Sequence, residues 1–127
     1  MDYSKLSDTE IAQKVWFWWN NNIPHDNTIC CISDGKMLYQ KNRVWTSFDP
    51  CNNPADAWPI IYRHKISIEF DGDNSTDPQT TWCHAQNMYR SCGINYQSNP
   101  LRAAMIVFLM MQDSANVPAN STRSDIR

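Results

Sequence analysis

His25, Cys30, Cys31, Cys83, His84 and Cys92 are all possible metal ligands. Zinc is the ion that such thiolate and imidazole donors hold. Their spacing argues against a site. Structural zinc sites use paired cysteines with a short gap between them, whereas Cys30 and Cys31 are adjacent, as are Cys83 and His84, and neighbours on a strand point to opposite faces. Buried free thiols behaving as small apolar groups are the expectation. Asp71, Asp73, Ser75 and Asp77 repeat the alternating oxygens that begin a calcium loop. Thr76 then stands where that loop needs glycine and Trp82 where it needs a bidentate glutamate, so the segment reads as a solvated acidic loop. A nucleophile would be a Cys or Ser with a base held close; the chain has five cysteines, including Cys51, and three histidines, and no spacing places such a pair. His64 falls near the end of a predicted helix, where the dipole favours a protonated ring. Gly35, Gly72 and Gly93 are too far apart to cradle a phosphate. The residues therefore predict no catalytic site, no metal and no cofactor, with a small enzyme as the remote alternative.

Binding residues are easier to find. Trp16, Phe17, Trp18 and Trp19 are consecutive, so their rings project all round a helix and one core face cannot take them all. Ile11, Val15, Trp18 and Trp19 form one stripe, and Trp16 and Phe17 fall off it. Trp16, Phe17 and Trp19 are the candidate interface, unless the helix is covered on two sides. Trp58 is expected in the core against the apolar C-terminal helix. Lys36, Lys41, Arg43, Arg63 and Lys65, with Tyr39 and Trp45 between them, form a candidate nucleic-acid face. A solvated sheet edge is the plainer reading of the same cations, because a net charge of -2 gives no strong field for phosphate backbones or anionic membranes.

The elements that must position these groups follow from local signals. A chain of 127 residues suits one domain, taken as 1–113, followed by a flexible tail over 114–127 rich in Ser, Asn, Thr and Arg. Ser7 and Glu10 form a capping box with Leu6 and Ile11 as its staple, opening a helix that ends near 20–22. Strands over 28–33 and 36–40 flank Asp34-Gly35, a primed-turn pair, and a third strand is expected over 43–48. Asn53-Pro54 opens a second helix that Pro59 should bend or break near Trp58. Strands over 66–70 and 81–87 flank a loop over 71–80, and 88–98 gives no clear signal. Asn99-Pro100 opens a third helix to about Asp113, apolar nearly all round and so covered on several sides. The sum is an α+β fold, an antiparallel sheet of four or five strands sandwiched with three helices. The nine apolar residues 103–111 are about half of a membrane span. The polar, acidic start lacks a secretory signal, so a reducing cytoplasm and five free thiols are expected.

The two Asn-Pro segments also carry a family resemblance. Residues 48–61, with Asn53-Pro54, Asp56 and Trp58, and residues 99–112, with Asn99-Pro100 and the apolar run, together resemble the phage NinX-like family. These are small proteins encoded in the accessory regions of lambdoid phages and prophages. The order of elements is similar to phage alpha-beta-alpha sandwich domains. The resemblance implies a phage or prophage accessory protein of the host bacterial cytoplasm and supplies no activity. Joined to the residues, it predicts action by binding a host or phage protein, as in host takeover or counter-defence, with a homodimer as a further option. The alternative is a nucleic-acid-associated protein of phage replication or recombination.

Overall fold

The computed structural model describes residues 1–20, 30–41, 43–75 and 79–115. After a 3-10 turn, Tyr3–Lys5, Ser7 opens helix α1, Asp8–Trp19. Its hydroxyl accepts from the Glu10 amide at 3.1 Å while the Glu10 carboxylate accepts from the Ser7 amide at 2.8 Å. Leu6 and Ile11 both join the core, as a staple requires. Asn53 caps α2, Pro54–His64, its side-chain oxygen accepting from the Ala55 amide at 3.0 Å. Lys65 ends the helix in the left-handed region at φ 53. The break expected at Pro59 does not occur, since the helix runs through it. Ala55 and Pro59 both lie on the exposed side, where water reaches the carbonyl that proline leaves unpaired.

Asn99 caps α3, Pro100–Ala115, accepting from the Leu101 and Arg102 amides at 3.0 and 3.1 Å. Asn99→Ala is expected to cost ~0.5–2 kcal/mol, the usual loss of a capping oxygen. An unchanged urea midpoint would mean that the cap contributes nothing. Ser114 and Ala115, assigned above to the tail, continue this helix; the rest of that segment lies outside the described residues.

The strands form two sheets. β1, Cys30–Ser33, β2, Lys36–Lys41, and β3, Val44–Ser47, pair antiparallel in that order. Asp34 and Gly35 take φ 55 and 72 in the first hairpin turn, as a primed turn demands. Residues 28–29 of the expected first strand lie outside the described residues. β4, Ser67–Asp73, β5, Thr80–Gln86, and β6, Gly93–Gln97, form the second antiparallel sheet. The expectation of one sheet of four or five strands is thus corrected to two sheets of three. The helix α2 intervenes between β3 and β4 and separates them. β6 escapes sequence reading because the register slips between Cys83 and Ala85 and Tyr96 sits at φ 57, which breaks the alternation that marks a strand.

α3 occupies the centre. Ala103, Ala104, Met105, Ile106, Val107, Phe108 and Leu109 are all buried, because α3 touches α1, α2 and all three strands of the second sheet. Covering on every side is what an all-round apolar helix requires. α1 lies in turn between α3 and the hairpin β1-β2.

Candidate functional site

That placement of α1 decides the aromatic run. Trp16 is only 6% exposed, its ring centroid 6.0 Å from that of Tyr39, which meets Phe48 edge-on. The expectation that Trp16 faces a partner is therefore corrected. A helix covered by a hairpin on one side and α3 on the other buries more than one stripe. Trp19 is half-buried against His64, whose ring lies 4.9 Å from Phe108. Of Trp16, Phe17 and Trp19, Phe17 alone is exposed. Burial, helped by Arg63, lowers the His64 pKa, so desolvation overrides the helix dipole that sequence reasoning favoured. The folded state then prefers the neutral ring. Stability is expected to hold above the ordinary histidine range and to fall as pH drops through it. Urea midpoints taken from about pH 7.5 to about pH 5.5 should show this slope, and His64→Gln should flatten it.

The basic residues fall in two regions of the fold. Lys36 starts β2 and Arg43 lies past its other end, so the strand separates them by ~15–20 Å. The side chain of Lys41 lies outside the described residues. Arg63 and Lys65 sit together at the C-terminal end of α2.

There the structure shows a surface that sequence reasoning missed. α2 turns Ala57, Ile60 and Ile61 inward and leaves Ala55, Trp58, Pro59, Tyr62 and Arg63 outside. Trp58 is 61% and Tyr62 63% exposed, with centroids 6.1 Å apart and the Lys65 ammonium 4.0 Å from the Tyr62 ring centre. The core role expected for Trp58 is overturned. The signal was legible in principle, since Ala57, Ile60, Ile61 and His64 recur at helical spacing and place Trp58 opposite.

The second sheet presents another aromatic surface. Cys83 and Ala85 are buried on the side of α3, so Trp82 and His84 point the other way. Asp71 pairs with Trp82 and Glu69 with His84 across the ladder. The Tyr96 ring lies 5.8 Å from Trp82 and 5.2 Å from His84. Its backbone amide donates to His84 Nδ1 at 3.1 Å, while His84 Nε2 faces the Asp71 carboxylate at 3.9 Å. Both ring nitrogens thus have partners, and the Cys83 thiol donates on the opposite face to the Gln97 carbonyl at 3.3 Å. Cys83 and His84 are not a nucleophile and its base. The Trp82 indole N–H is shut off from solvent with no acceptor among the described residues. In the acidic stretch, Asp73 accepts from the Ser75 amide and hydroxyl at 2.8 and 2.6 Å, and Asp77 lies outside the described residues. No cluster of three or more His, Cys, Asp or Glu among the described residues is arranged to hold a metal ion.

A polar junction joins the starts of all three helices. Arg102 binds the Asp8 carboxylate at 2.6 Å and the carbonyls of Leu6 and Ser4 at 2.7 and 3.1 Å. The Asn52 amide donates to Asp8 and Asp49, and Asn99 donates to the Cys51 carbonyl at 2.8 Å. The two Asn-Pro segments therefore fasten to each other and to α1. A groove of about 370 Å³ beside them is lined by Asp8, Thr9, Lys36, Asp49 and Asn52 among others. Its carboxylates accept from Arg102 and Asn52 and so tie the helix starts together.

Cys31 is exposed, Cys51, Cys83 and Cys92 are buried, and all four are free thiols; the Cys30 side chain lies outside the described residues. Burial foremost pushes the Cys51 thiol up to about 12. Alkylation of the native protein should therefore modify Cys31 quickly and spare Cys51, because the thiolate is the reactive form. Modification of Cys51 at the rate of Cys31 would contradict its burial.

These features define a small α+β domain wound on one apolar helix, with aromatic residues left on two outer faces. Residues 2–112 match the family model described as Bacteriophage P22, NinX, and the chain belongs to that family. It is accordingly a phage accessory protein. No curated protein and no solved structure matches the chain.

Proposed function

We propose that this protein acts by docking on another protein, of the host or of the phage, through the outer face of α2. The observation that carries the reading is the pair Trp58 and Tyr62, both more than 60% exposed, one helical turn apart and without a role in the core. Tryptophan, tyrosine and arginine are the side chains that anchor interfaces, and Arg63 stands beside them. The protein is read as a binder without catalytic chemistry, metal or cofactor of its own, working in the host cytoplasm. No helix among the described residues is long and apolar enough to cross a membrane.

Affinity capture from phage-infected cells tests this. The wild type should retain a defined protein that Trp58→Ser and Tyr62→Ser both lose, while stability stays within ~0.5 kcal/mol, as for exposed positions. Capture unaffected by either change would sink the reading. Nucleic acid is the second reading, favoured by Arg63 and Lys65 beside rings on which bases could stack. Salt separates the two, since backbone contacts weaken steeply with ionic strength and an aromatic anchor does not.

A further inference from the structure

We propose that copies of this chain associate head to tail, the α2 face of one docking on the outer face of β4-β5-β6 of the next. The proposal rests on the reading of α2 as a docking face and names a second copy of the chain as an occupant. α2 offers two exposed rings, Trp58 and Tyr62, with Arg63 and Lys65, and no acidic side chain beyond Asp56. The sheet face offers the complement. Tyr96, 74% exposed, leans on Trp82, and Glu69 and Asp71 are exposed on the same face. Two residues apart on one strand, these carboxylates are spaced by ~7 Å. Rings thus meet rings, and the guanidinium and ammonium meet two carboxylates, the arrangement that gives a contact both anchors and register.

α3 packs on the opposite side of that sheet, while Glu69, Asp71 and Tyr96 are exposed on this one. An occupant must combine exposed aromatics with a pair of cations, and the chain carries that combination on its own surface. The faces differ, so the contact is heterologous and each added copy presents one fresh face of each kind. A partner protein and a second copy then compete for α2.

Sedimentation of the full chain at low and high salt tests the proposal, with two double variants, Arg63→Glu with Lys65→Glu and Glu69→Lys with Asp71→Lys. The wild type should associate at low salt. Each variant alone should associate ~100-fold more weakly, because like charges now face each other. An equimolar mixture of the two should regain association, since one brings an acidic α2 to the other's basic sheet while the second pair of faces stays wild type. A wild type that is monomeric at low salt, variants that associate undiminished, or a mixture of folded variants that stays monomeric would each overturn it. Should a variant fail to fold, the wild type still decides. Association weakened ~10-fold or more by screening supports the proposal, and salt-insensitive association overturns it. Glu69→Lys with Asp71→Lys leaves α2 untouched, so partner capture by this variant reports on the α2 reading separately from self-association.

Discussion

Trp16→Ala is expected to destabilise the protein by ~3–5 kcal/mol, the range for removing a large buried aromatic. The ring is 6% exposed and packs on Tyr39, which packs on Phe48, so its loss opens a cavity between α1 and the hairpin β1-β2. Trp58→Ala, on the outer side of α2, should change stability by no more than ~0.5 kcal/mol. Urea denaturation of the two variants side by side makes the comparison. Equal losses would mean that the assignment of core and surface is wrong for at least one of them.

Arg102→Ala should cost ~2–3 kcal/mol, the second largest effect. Its side chain is 19% exposed and its fork reaches Asp8 together with the carbonyls of Leu6 and Ser4. Removing it leaves a part-buried carbonyl without its donor, and such losses exceed the net worth of the bond. Asp8 is 41% exposed, so water tempers its share of the loss. Arg102→Lys should recover little, because an ammonium cannot span three acceptors in the geometry of a planar guanidinium. A midpoint matching that of the surface control Lys36→Ala would show that the junction does not hold the helices.

The parts of this fold that could be read from the sequence are those decided locally. Ser7 with Glu10, and the Asn53 and Asn99 side chains, each satisfy backbone amides within a few residues, Pro54 and Pro100 having no amide to satisfy, and each begins a helix where expected. Asp34-Gly35 meets the positive φ of its turn in the same way. What escaped is decided by distant neighbours. Whether Trp16 or Trp58 is buried depends on which element lies over each helix face. Trp16 is covered by Tyr39 of the hairpin and Trp19 by His64, while α2 touches α3 along a single stripe. The division into two sheets follows from α2 standing between β3 and β4, and β6 is hidden by the break in alternation at Tyr96, which no hydrophobic period reveals. The candidate site moved with these long-range choices, from the Trp16 side of α1 to the Trp58 side of α2.

Photo-crosslinking in phage-infected cells tests the central claim most directly. A benzophenone-bearing phenylalanine is placed at Trp58, and at Gln40, an exposed position on β2, as the control. Docking through α2 predicts a discrete protein adduct from position 58 and none from position 40. No adduct at 58, or the same adduct from both positions, would contradict it.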